Sequence, residues 1–473
     1  MNILFASSEC FPFIKIGGLA DVVGALPKSL KRFRNDVRVV LPKYRSIPEV
    51  YAKQMERVLE THVYVDWRKQ YVGVYKLEYN KVIYYFIDNE YYFGARDRVY
   101  DYEDEGERFA FFQKAILEAF KYLDFKFDII HANDWHTGMI PHLIKSVYRF
   151  DYPNVKTVYT IHNIAYQGVF PLQCYKMFNV EFDSIFEYQG CINFLKAGIA
   201  EADLVTTVSE TYADEILDDY YGFGMQNILR QRKDDLLGII NGLDYSVFDP
   251  KKDKILPKKY TVDNFEEGKV AAKEELYKRL GVDFYTNCPM IAIVSRLVSQ
   301  KGLDLISHIM EEILDEYKIK FIILGSGESR YEDYFRRLEE KYPWKVKSYI
   351  GYSDELAHLI YAASDIFLMP SRFEPCGLGQ LIALKYGSLP LVRETGGLKD
   401  SVQPYNEYEL TGNGFSFTHY NAHDMMYVLK YALRTYNLKS HWNELVRNAM
   451  TADYSWNASA KKYNEAYKKL LKK

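Results

Sequence analysis

Short apolar runs alternate with helical patterns along most of the chain. In the first half, the predicted strands are at 2–7, 37–42, 127–134, 156–163, 202–209 and 236–242. The helical patterns between them lie near 20–33, 106–123 and 138–147. Alternation of helices with nearly continuous apolar strands predicts a parallel sheet covered on both faces. Residues 58–88 break this rhythm with three runs that predict antiparallel strands.

A second alternating series follows a charged stretch at 249–276, which reads as a loop leading into a surface helix. Its predicted strands are at 290–296, 319–327, 346–352, 365–371 and 388–392, with helices from 302, from 328, from 354 and near 377–386. Two such series predict an α/β protein with two doubly wound, Rossmann-like domains. We place them at 1–241 and 242–453, with a C-terminal helix at 454–473.

Composition narrows the class of protein. A chain of 473 residues is long enough for two or three domains. Its 61 Lys and Arg nearly balance 64 Asp and Glu, which argues against nucleic acid or an anionic membrane as the main partner. No apolar run has the length of a membrane span, and the first ten residues read as a strand and not as a signal peptide. Five cysteines without C-x-x-C spacing predict a reduced, cytoplasmic protein.

Polar residues that could carry chemistry follow the predicted strands in both halves. In doubly wound sheets, ligands bind beyond the carboxyl ends of the strands. Taken singly, each such residue could be a helix cap or a turn, but their concentration at strand ends favours a binding site. The candidates are Glu9 with Lys15, His131 with Asp134 and Trp135, His162 with Asn163, Asn241, Arg296 with Lys301, and Glu374.

Two cations in the second half suggest a phosphate site. Arg296 and Lys301 lie across a strand-to-helix turn, where they could hold a diphosphate and stabilise the charge on a departing phosphate. A solvated basic turn is the alternative. Glu374 precedes backbone amides near 377–379 that could bind a phosphate or sugar oxygen. In the first half, "KIGGL" at 15–19 matches neither the dinucleotide fingerprint nor the P-loop.

The chain closely resembles the bacterial glycogen synthase and plant starch synthase family from residue 1 to about 460. The resemblance is carried by "SSECFPFIKIGGLADVVGALP", "HANDWHTG", "TIHNIAYQGVFP", "NGLDYSVFDP", "VSRLVSQKGLDL" and "PSRFEPCGLGQLIALKYGSLPLVRETGGLKDSV". It implies a GT-B fold, in which two Rossmann-like domains face each other across a deep cleft. It also implies a retaining glucosyltransferase that moves glucose from ADP-glucose to the non-reducing end of an α-1,4-glucan such as glycogen or a maltooligosaccharide. No metal and no cofactor would be needed, since ADP-glucose is itself a substrate.

The resemblance also implies roles for individual residues. Catalytic roles fall to His162, Glu374, Arg296, Lys301 and Asp134. Donor contacts fall to Lys15, Gly17, Gly18, Asn241, Arg296, Lys301, Tyr352, Cys376, Gly377, Leu378 and Gly379. Acceptor contacts fall to Glu9, His131, Asp134, Trp135 and Asn163. The final helix would cross back to the first domain, although an ordinary amphipathic surface helix would show the same pattern.

The chain departs from the wider pattern at three places. Ile382 stands where many retaining relatives carry a second glutamate, Gly379 stands where many carry a larger residue, and residues 93–108 differ from typical versions of the acceptor-side loop. UDP-glucose as donor and a non-catalytic glucan-binding protein remain alternatives. The missing fingerprint argues against a nicotinamide-dependent oxidoreductase. The sequence makes no prediction of oligomeric state.

Overall fold

A computed structural model describes residues 1–282 and 288–472 of the chain. The chain forms two compact units. Unit 1 is Met1–Gly242 together with Trp456–Lys473, and unit 2 is Leu243–Ser455. The divisions therefore follow residues 242 and 455, where the sequence pattern had suggested 241 and 453.

Unit 1 is built on a nine-stranded sheet with the order β12-β11-β7-β6-β1-β2-β5-β4-β3. Its strands are β1 Asn2–Ala6, β2 Asp36–Pro42, β3 Glu56–Val65, β4 Arg68–Tyr79, β5 Val82–Asp88, β6 Ile129–Asn133, β7 Lys156–Ile161, β11 Leu204–Thr207 and β12 Leu236–Gly238. The strands from β12 to β5 pair in parallel, while β3, β4 and β5 pair antiparallel. The prediction of a parallel sheet interrupted by an antiparallel segment is confirmed.

Unit 1 contains a second sheet that the sequence pattern did not predict. It contains three short antiparallel strands in the order β8-β10-β9. These are β8 Val169–Pro171, β9 Glu187–Tyr188 and β10 Cys191–Asn193. Strands of two or three residues are too short to show an alternation of apolar and polar positions, so no sequence signal marks them.

The helices of unit 1 begin with the one that follows the glycine pair. They are α1 Gly18–Leu30, α2 Glu49–Ala52, α3 Glu105–Ala119, α4 Ile140–Lys145, α5 Phe194–Glu201, α6 Glu210–Glu215 and α7 Gln226–Gln231. In α1 the spacing of three and four residues places the apolar side chains on one buried face. That face contains Leu19, Val22, Val23, Leu26 and Leu30.

Unit 2 has a six-stranded parallel sheet with the order β15-β14-β13-β16-β17-β18. Its strands are β13 Met290–Val294, β14 Lys320–Gly325, β15 Val346–Ile350, β16 Ile366–Met369, β17 Leu389–Arg393 and β18 Phe415–Phe417. Its helices are α8 Phe265–Leu280, α9 Leu303–Glu316, α10 Ser329–Lys341, α11 Asp354–Ala363, α12 Gly379–Lys385, α13 Gly396–Ser401, α14 Ala422–Tyr436 and α15 Lys439–Thr451. The inner strands β13, β14, β16 and β17 are almost entirely buried, as expected for a parallel sheet covered on both faces, whereas the edge strand β15 is partly exposed.

The final helix, α16 Trp456–Leu470, belongs to unit 1 and packs against α1. Asn35 donates a hydrogen bond to the side chain of Asn464 at 2.9 Å, and both residues are buried. The hydroxyl of the buried residue Tyr467 lies 2.7 Å from Nδ1 of His131. Within the described residues, no helix is both long enough and apolar enough to cross a membrane.

Candidate active site

Three neighbouring strands of unit 1 bring their carboxyl ends together. β7, β6 and β1 are adjacent in the sheet and parallel. Glu9 follows β1, Asp134 follows β6 and His162 follows β7. Neighbouring parallel strands therefore place these three residues at one edge of the sheet, where doubly wound folds bind ligands.

Asp134 combines a strained backbone with a carboxylate that backbone N–H groups hold. Its backbone lies in the left-handed region with φ of 55°, which is costly for a residue other than glycine and typical of functional sites. Its carboxylate accepts a hydrogen bond from the backbone N–H of His162 at 2.8 Å and another from the backbone N–H of Asn163. Burial, with a smaller contribution from the charge of Glu9, raises the pKa of Asp134 to about 7. Its charge therefore changes close to neutral pH.

His162 is held in one neutral form by Asn133. The side-chain amide of Asn133 donates to the carbonyls of Ala6 and His131, both at 3.1 Å. Its oxygen must then face the Nε2 of His162, 3.0 Å away, so Nε2 carries the proton and Nδ1 is an acceptor. Burial lowers the pKa of His162 to about 3, which keeps the ring neutral. Asn133 was missed as a site residue, although it too follows an apolar run in "HAND".

The Gly17–Gly18 loop, residues 15–18, leads directly into α1. A side chain at either glycine would meet nothing within 4 Å, so the backbone is open to an approaching ligand. Lys15 forms an ion pair with Asp21 at 2.7 Å, and nearly half of its side chain is exposed. Small residues with free space above them let a ligand come close to backbone N–H groups.

Two predicted acceptor contacts lie inside the fold instead. His131 is 1% exposed, and its ring nitrogens are taken by Tyr467 at 2.7 Å and Thr160 at 2.5 Å. Trp135 is buried, stacked on His136 with ring centroids 3.9 Å apart and in edge contact with Phe109. The prediction that His131 contacts the acceptor is wrong, because both of its polar atoms serve internal hydrogen bonds. Trp135 supports the site by packing, with little of its ring accessible.

Two predicted asparagines of unit 1 differ in their freedom to bind a ligand. The side chain of Asn163 accepts from the backbone N–H of Ala165 at 3.1 Å, which shapes the loop after β7. Asn241 is 6% exposed, and its side-chain oxygen has no hydrogen-bond partner within the described residues. A buried polar atom without a partner is costly, and a bound ligand or water can satisfy it.

In unit 2, the predicted lysine and glutamate meet although they are 73 residues apart. Lys301 Nζ donates to Glu374 Oε2 at 2.6 Å, and the side chains are only 17% and 8% exposed. The Ser371 hydroxyl donates to the same oxygen at 2.9 Å. Ser371 was also missed by the sequence reasoning, although it stands three residues before Glu374 in the quoted motif. The carboxylate is therefore fixed by two donors on Oε2, while Oε1 has no hydrogen-bond partner among the described residues.

Arg296 and Tyr352 are presented to solvent. Arg296 is exposed at the end of β13, and its guanidinium makes no hydrogen bond or ion pair with any residue of the described ranges. Tyr352 follows β15 and is 83% exposed. An exposed cation without a carboxylate partner can bind an anion without first breaking an ion pair. An exposed aromatic ring offers a flat face to a nucleotide base.

The segment between Glu374 and α12 is packed backbone to backbone. Gly377 has φ of +74°, and the side chain of Gln380 donates to the carbonyls of Cys376 and Gly377 at 2.8 and 3.0 Å. Gly396 and Gly397, in the loop after β17, pack closely against this segment. A Cβ added at Gly396 would lie 2.0 Å from the Glu374 carbonyl oxygen, and one added at Gly397 would lie 2.2 Å from the Cys376 carbonyl oxygen. The Gly397 N–H donates to the Glu374 carbonyl at 3.1 Å. This contact fixes the backbone that carries Glu374.

Gly379 suits its own surroundings. A Cβ there would lie 3.1 Å from Phe367, 3.2 Å from Met369 and 3.4 Å from the Tyr361 hydroxyl. A larger side chain would need these neighbours to shift, so the departure from the wider pattern has a packing explanation. Leu378, directly before it, is half-buried against the core of unit 2.

Within residues 1–282 and 288–472, no group of three or more His, Cys, Asp or Glu side chains is arranged to hold a metal ion. Lys301 places a positive charge directly at Glu374, and Arg296, which follows β13, is the second cation that the sequence predicted for this unit.

Family models and known proteins match the chain over its length. A model described as starch synthase catalytic domain matches residues 2–231, and one described as glycosyl transferases group 1 matches residues 279–449. The chain is 51% identical to glycogen synthase of Clostridium novyi, over 100% of both chains. It is 49% identical to glycogen synthase of Bacillus subtilis, over 100% of this chain and 99% of the relative.

The fold of the chain also matches that of a solved enzyme over the whole length of both. The catalytic domain of starch synthase IV from Arabidopsis thaliana, solved with ADP and acarbose bound, superposes with a TM-score of 0.92 at 30% identity. The superposition covers 100% of this chain and 99% of that domain. The protein is therefore a glycosyltransferase with the GT-B fold, as the sequence predicted. Within that class, the chain belongs to the glycogen synthase and starch synthase family.

Proposed function

We propose that the protein transfers glucose from ADP-glucose to the non-reducing end of an α-1,4-glucan, with retention of configuration at the anomeric carbon. Full-length similarity to glycogen synthases and to a starch synthase domain solved with ADP supports this choice over UDP-glucose. It also favours an enzyme over a non-catalytic glucan-binding protein. The observation that carries the proposal is the largely buried Lys301–Glu374 pair, whose second carboxylate oxygen has no partner among the described residues.

Unit 2 supplies the donor contacts in this proposal. Arg296 and Lys301 bind the diphosphate and stabilise the charge that grows on it as the bond to glucose breaks. The free oxygen of Glu374 accepts hydrogen bonds from the glucose hydroxyls. Tyr352 packs on the base. The backbone of 376–379 lies next to Glu374 and would contact the phosphate or the sugar.

Unit 1 supplies the groups that act on the reacting glucose. The neutral His162 has an Nδ1 acceptor without a hydrogen-bond partner in the described part of the chain, and Asp134 is anionic above about pH 7. The open backbone of Gly17 and Gly18, with Lys15, would contact the donor, and the unpartnered oxygen of Asn241 would be satisfied by it. Asn163 remains a proposed acceptor contact.

The proposed step balances without a covalent enzyme intermediate. The bond between glucose C1 and the phosphate oxygen breaks, and a bond forms on the same face between C1 and the terminal hydroxyl oxygen of the glucan. The hydroxyl proton passes to the departing phosphate oxygen, so the products are ADP and a glucan one glucose longer. The protein then works by positioning and by charge stabilisation. A nucleophilic carboxylate of the kind that retaining glycosidases use is not required.

We further propose that the reaction needs neither metal nor cofactor and takes place in the cytoplasm. Arg296 and Lys301 would supply the positive charge that Mg²⁺ provides in many phosphate sites. The five cysteines, none in a C-x-x-C pair, support a reduced compartment. The near balance of acidic and basic residues is consistent with a small-molecule donor. The proposed binding partners are thus the nucleotide sugar and the α-1,4-glucan that accepts the glucose.

The test measures glucose transfer to glycogen from ADP-glucose and from UDP-glucose in parallel, with EDTA present. We expect transfer from ADP-glucose, undiminished by EDTA. Glu374→Ala and Lys301→Ala should each lower kcat by at least about 100-fold, the scale of a lost transition-state contact. Lys341→Ala, which removes a lysine from an exposed ion pair of the same unit, is the matched control. No transfer from either donor would refute the function, and loss of activity with EDTA would refute the metal-free reaction.

A further inference from the structure

The carboxylate of Glu9 is fully committed to other parts of unit 1. Glu9 is 4% exposed. Its Oε2 accepts the backbone N–H of Ile16 at 2.6 Å and of Gly17 at 2.9 Å, and its Oε1 accepts the Tyr100 hydroxyl at 2.8 Å. The predicted role of Glu9 was a contact with the glucan acceptor. The observed contacts instead direct the carboxylate at the backbone of the Gly17–Gly18 loop.

That loop has few other ties to unit 1. Ile16 is 59% exposed, and the ion pair of Lys15 lies at the surface. Side chains are absent at Gly17 and Gly18, and the space above them is empty. Hydrogen bonds from N–H groups to a buried carboxylate are among the stronger ones in proteins. The two bonds to Glu9 therefore restrain the backbone inside the loop, between the bridge of Cys10 with Ile14 that precedes it and α1 that follows it.

Glu9 is itself oriented from a distant part of the chain. The Tyr100 hydroxyl lies 2.8 Å from Glu9 Oε1 and 2.8 Å from the Ser8 hydroxyl. The Tyr100 ring stacks on His136 with centroids 4.9 Å apart. Burial and the neighbouring Glu9 raise the pKa of Tyr100 well above its usual value, so its hydroxyl remains a donor.

The segment that carries Tyr100 is held by Arg108. This arginine is completely buried, and its guanidinium donates to the carbonyl of Tyr92 at 3.0 Å and to that of Val99 at 3.2 Å. A buried guanidinium with two backbone partners fixes both ends of the segment between them. The contacts thus run from Arg108 through Tyr100 to Glu9, and from Glu9 to the loop.

We infer that Glu9 is a positioning residue that sets the Gly17–Gly18 loop for the donor, and that Tyr100 couples residues 92–100 to that loop. The functional half of this inference rests on the proposed function, in which the loop contacts the nucleotide sugar. Removing the carboxylate should therefore disturb donor binding and leave acceptor binding unchanged. An acceptor-contacting Glu9 would give the opposite pattern.

The first measurement is hydrogen exchange of the peptide covering residues 13–20 in the full-length protein. In Glu9→Ala, the amides of Ile16 and Gly17 lose their acceptor, and we expect their exchange to accelerate by about tenfold or more. Glu9→Gln keeps one acceptor oxygen and should retain much of the protection. Asp203→Ala is the matched control, because Asp203 is another carboxylate of unit 1 that accepts a backbone N–H, that of Thr157 at 2.7 Å, and it takes no part in these contacts. It should leave this peptide unchanged.

The second measurement is steady-state kinetics with ADP-glucose and glycogen varied separately. We expect Glu9→Ala to raise the KM for ADP-glucose by about tenfold, with the KM for glycogen unchanged and partial rescue in Glu9→Gln. Unaltered exchange in Glu9→Ala would overturn the inference, and so would a rise in the KM for glycogen alone. If the wild-type protein transferred no glucose, the proposed function would fail, and the exchange of residues 13–20 would still decide whether Glu9 holds the loop.

Discussion

The Lys301–Glu374 pair allows a quantitative test of the unit 2 site before any substrate is added. Glu374→Gln leaves the Lys301 side chain, 17% exposed, with no ion-pair partner among the described residues, and Lys301→Met does the same to the Glu374 side chain, which is 8% exposed. Removing one partner of a buried ion pair typically costs about 3–5 kcal/mol, because the remaining charge is neither solvated nor paired. We expect each single substitution to destabilise unit 2 by about 3 kcal/mol.

The double substitution should cost less than the sum of the two. With Lys301→Met and Glu374→Gln together, no charge is left to desolvate, so we expect a loss of about 2 kcal/mol or less and a coupling energy of several kcal/mol. Urea unfolding, together with hydrogen exchange of peptides from 290–380, reports the stability of unit 2. The matched control is the same cycle on Lys341 and Glu311, an exposed pair at 2.6 Å whose coupling should stay below about 1 kcal/mol.

The same variants connect stability with catalysis. Each single substitution should lower kcat by at least about 100-fold, since each removes a group proposed to act on the departing phosphate or the glucose. Glu374→Gln also frees Lys301 from its carboxylate partner, so ADP should bind it at least as tightly as the wild type. Additive stability losses to within about 0.5 kcal/mol, or near-normal kcat in both variants, would contradict the reasoning.

Burial raises the pKa of Asp134 to about 7, so kcat/KM for the donor should rise by up to about tenfold per pH unit below pH 7 and level off above it. Asp134→Asn should lose this pH dependence. A flat wild-type profile from pH 6 to 8 would count against the role assigned to Asp134. Burial lowers the pKa of Lys269, which donates to the carbonyls of Ala362 and Ser364, to about 7. Between pH 7 and 10 the unfolded chain therefore binds more protons than the folded chain. Calorimetry should show the stability of unit 2 rising by up to about 1.4 kcal/mol per pH unit over this range. Lys269→Met should lack this rise. Tyr352→Ala should raise the KM for ADP-glucose by about tenfold and change kcat by less than about twofold, and an unchanged KM would show that its ring does not contact the base.

The sequence pattern was sufficient to place the groups that follow consecutive strands. Apolar runs locate the strands, and parallel pairing brings their carboxyl ends to one edge, so Asp134 and His162 become neighbours. The same reasoning puts Lys301 and Glu374 at the carboxyl edge of the second sheet, but their contact also depends on the pairing of β13 with β16, which are not consecutive in the chain. In these cases the position of a residue just after a strand determines its surroundings.

Other features depend on side-chain contacts that no local pattern encodes. Whether Glu9 faces the acceptor or the loop depends on Tyr100, which lies 91 residues away in a segment with no apolar periodicity. The burial of His131 depends on Tyr467, 336 residues along the chain. A strand-end histidine looks the same in the sequence whether a distant helix covers it or a ligand does. Such residues therefore need a structure before a role can be assigned.

The contact of Gly396 and Gly397 with the backbone of Glu374 and Cys376 has a consequence for enzymes assembled from parts of different relatives. The two loops fit only as a matched pair, because carbonyl oxygens fill the space that a Cβ would need. A chimera whose crossover falls between residues 377 and 395 would take one loop from each parent and shift the backbone that carries Glu374. Crossovers outside this interval keep the pair intact. Libraries of recombined synthases should therefore lose activity most often when the junction lies between these loops, even though both parents carry every residue of the site.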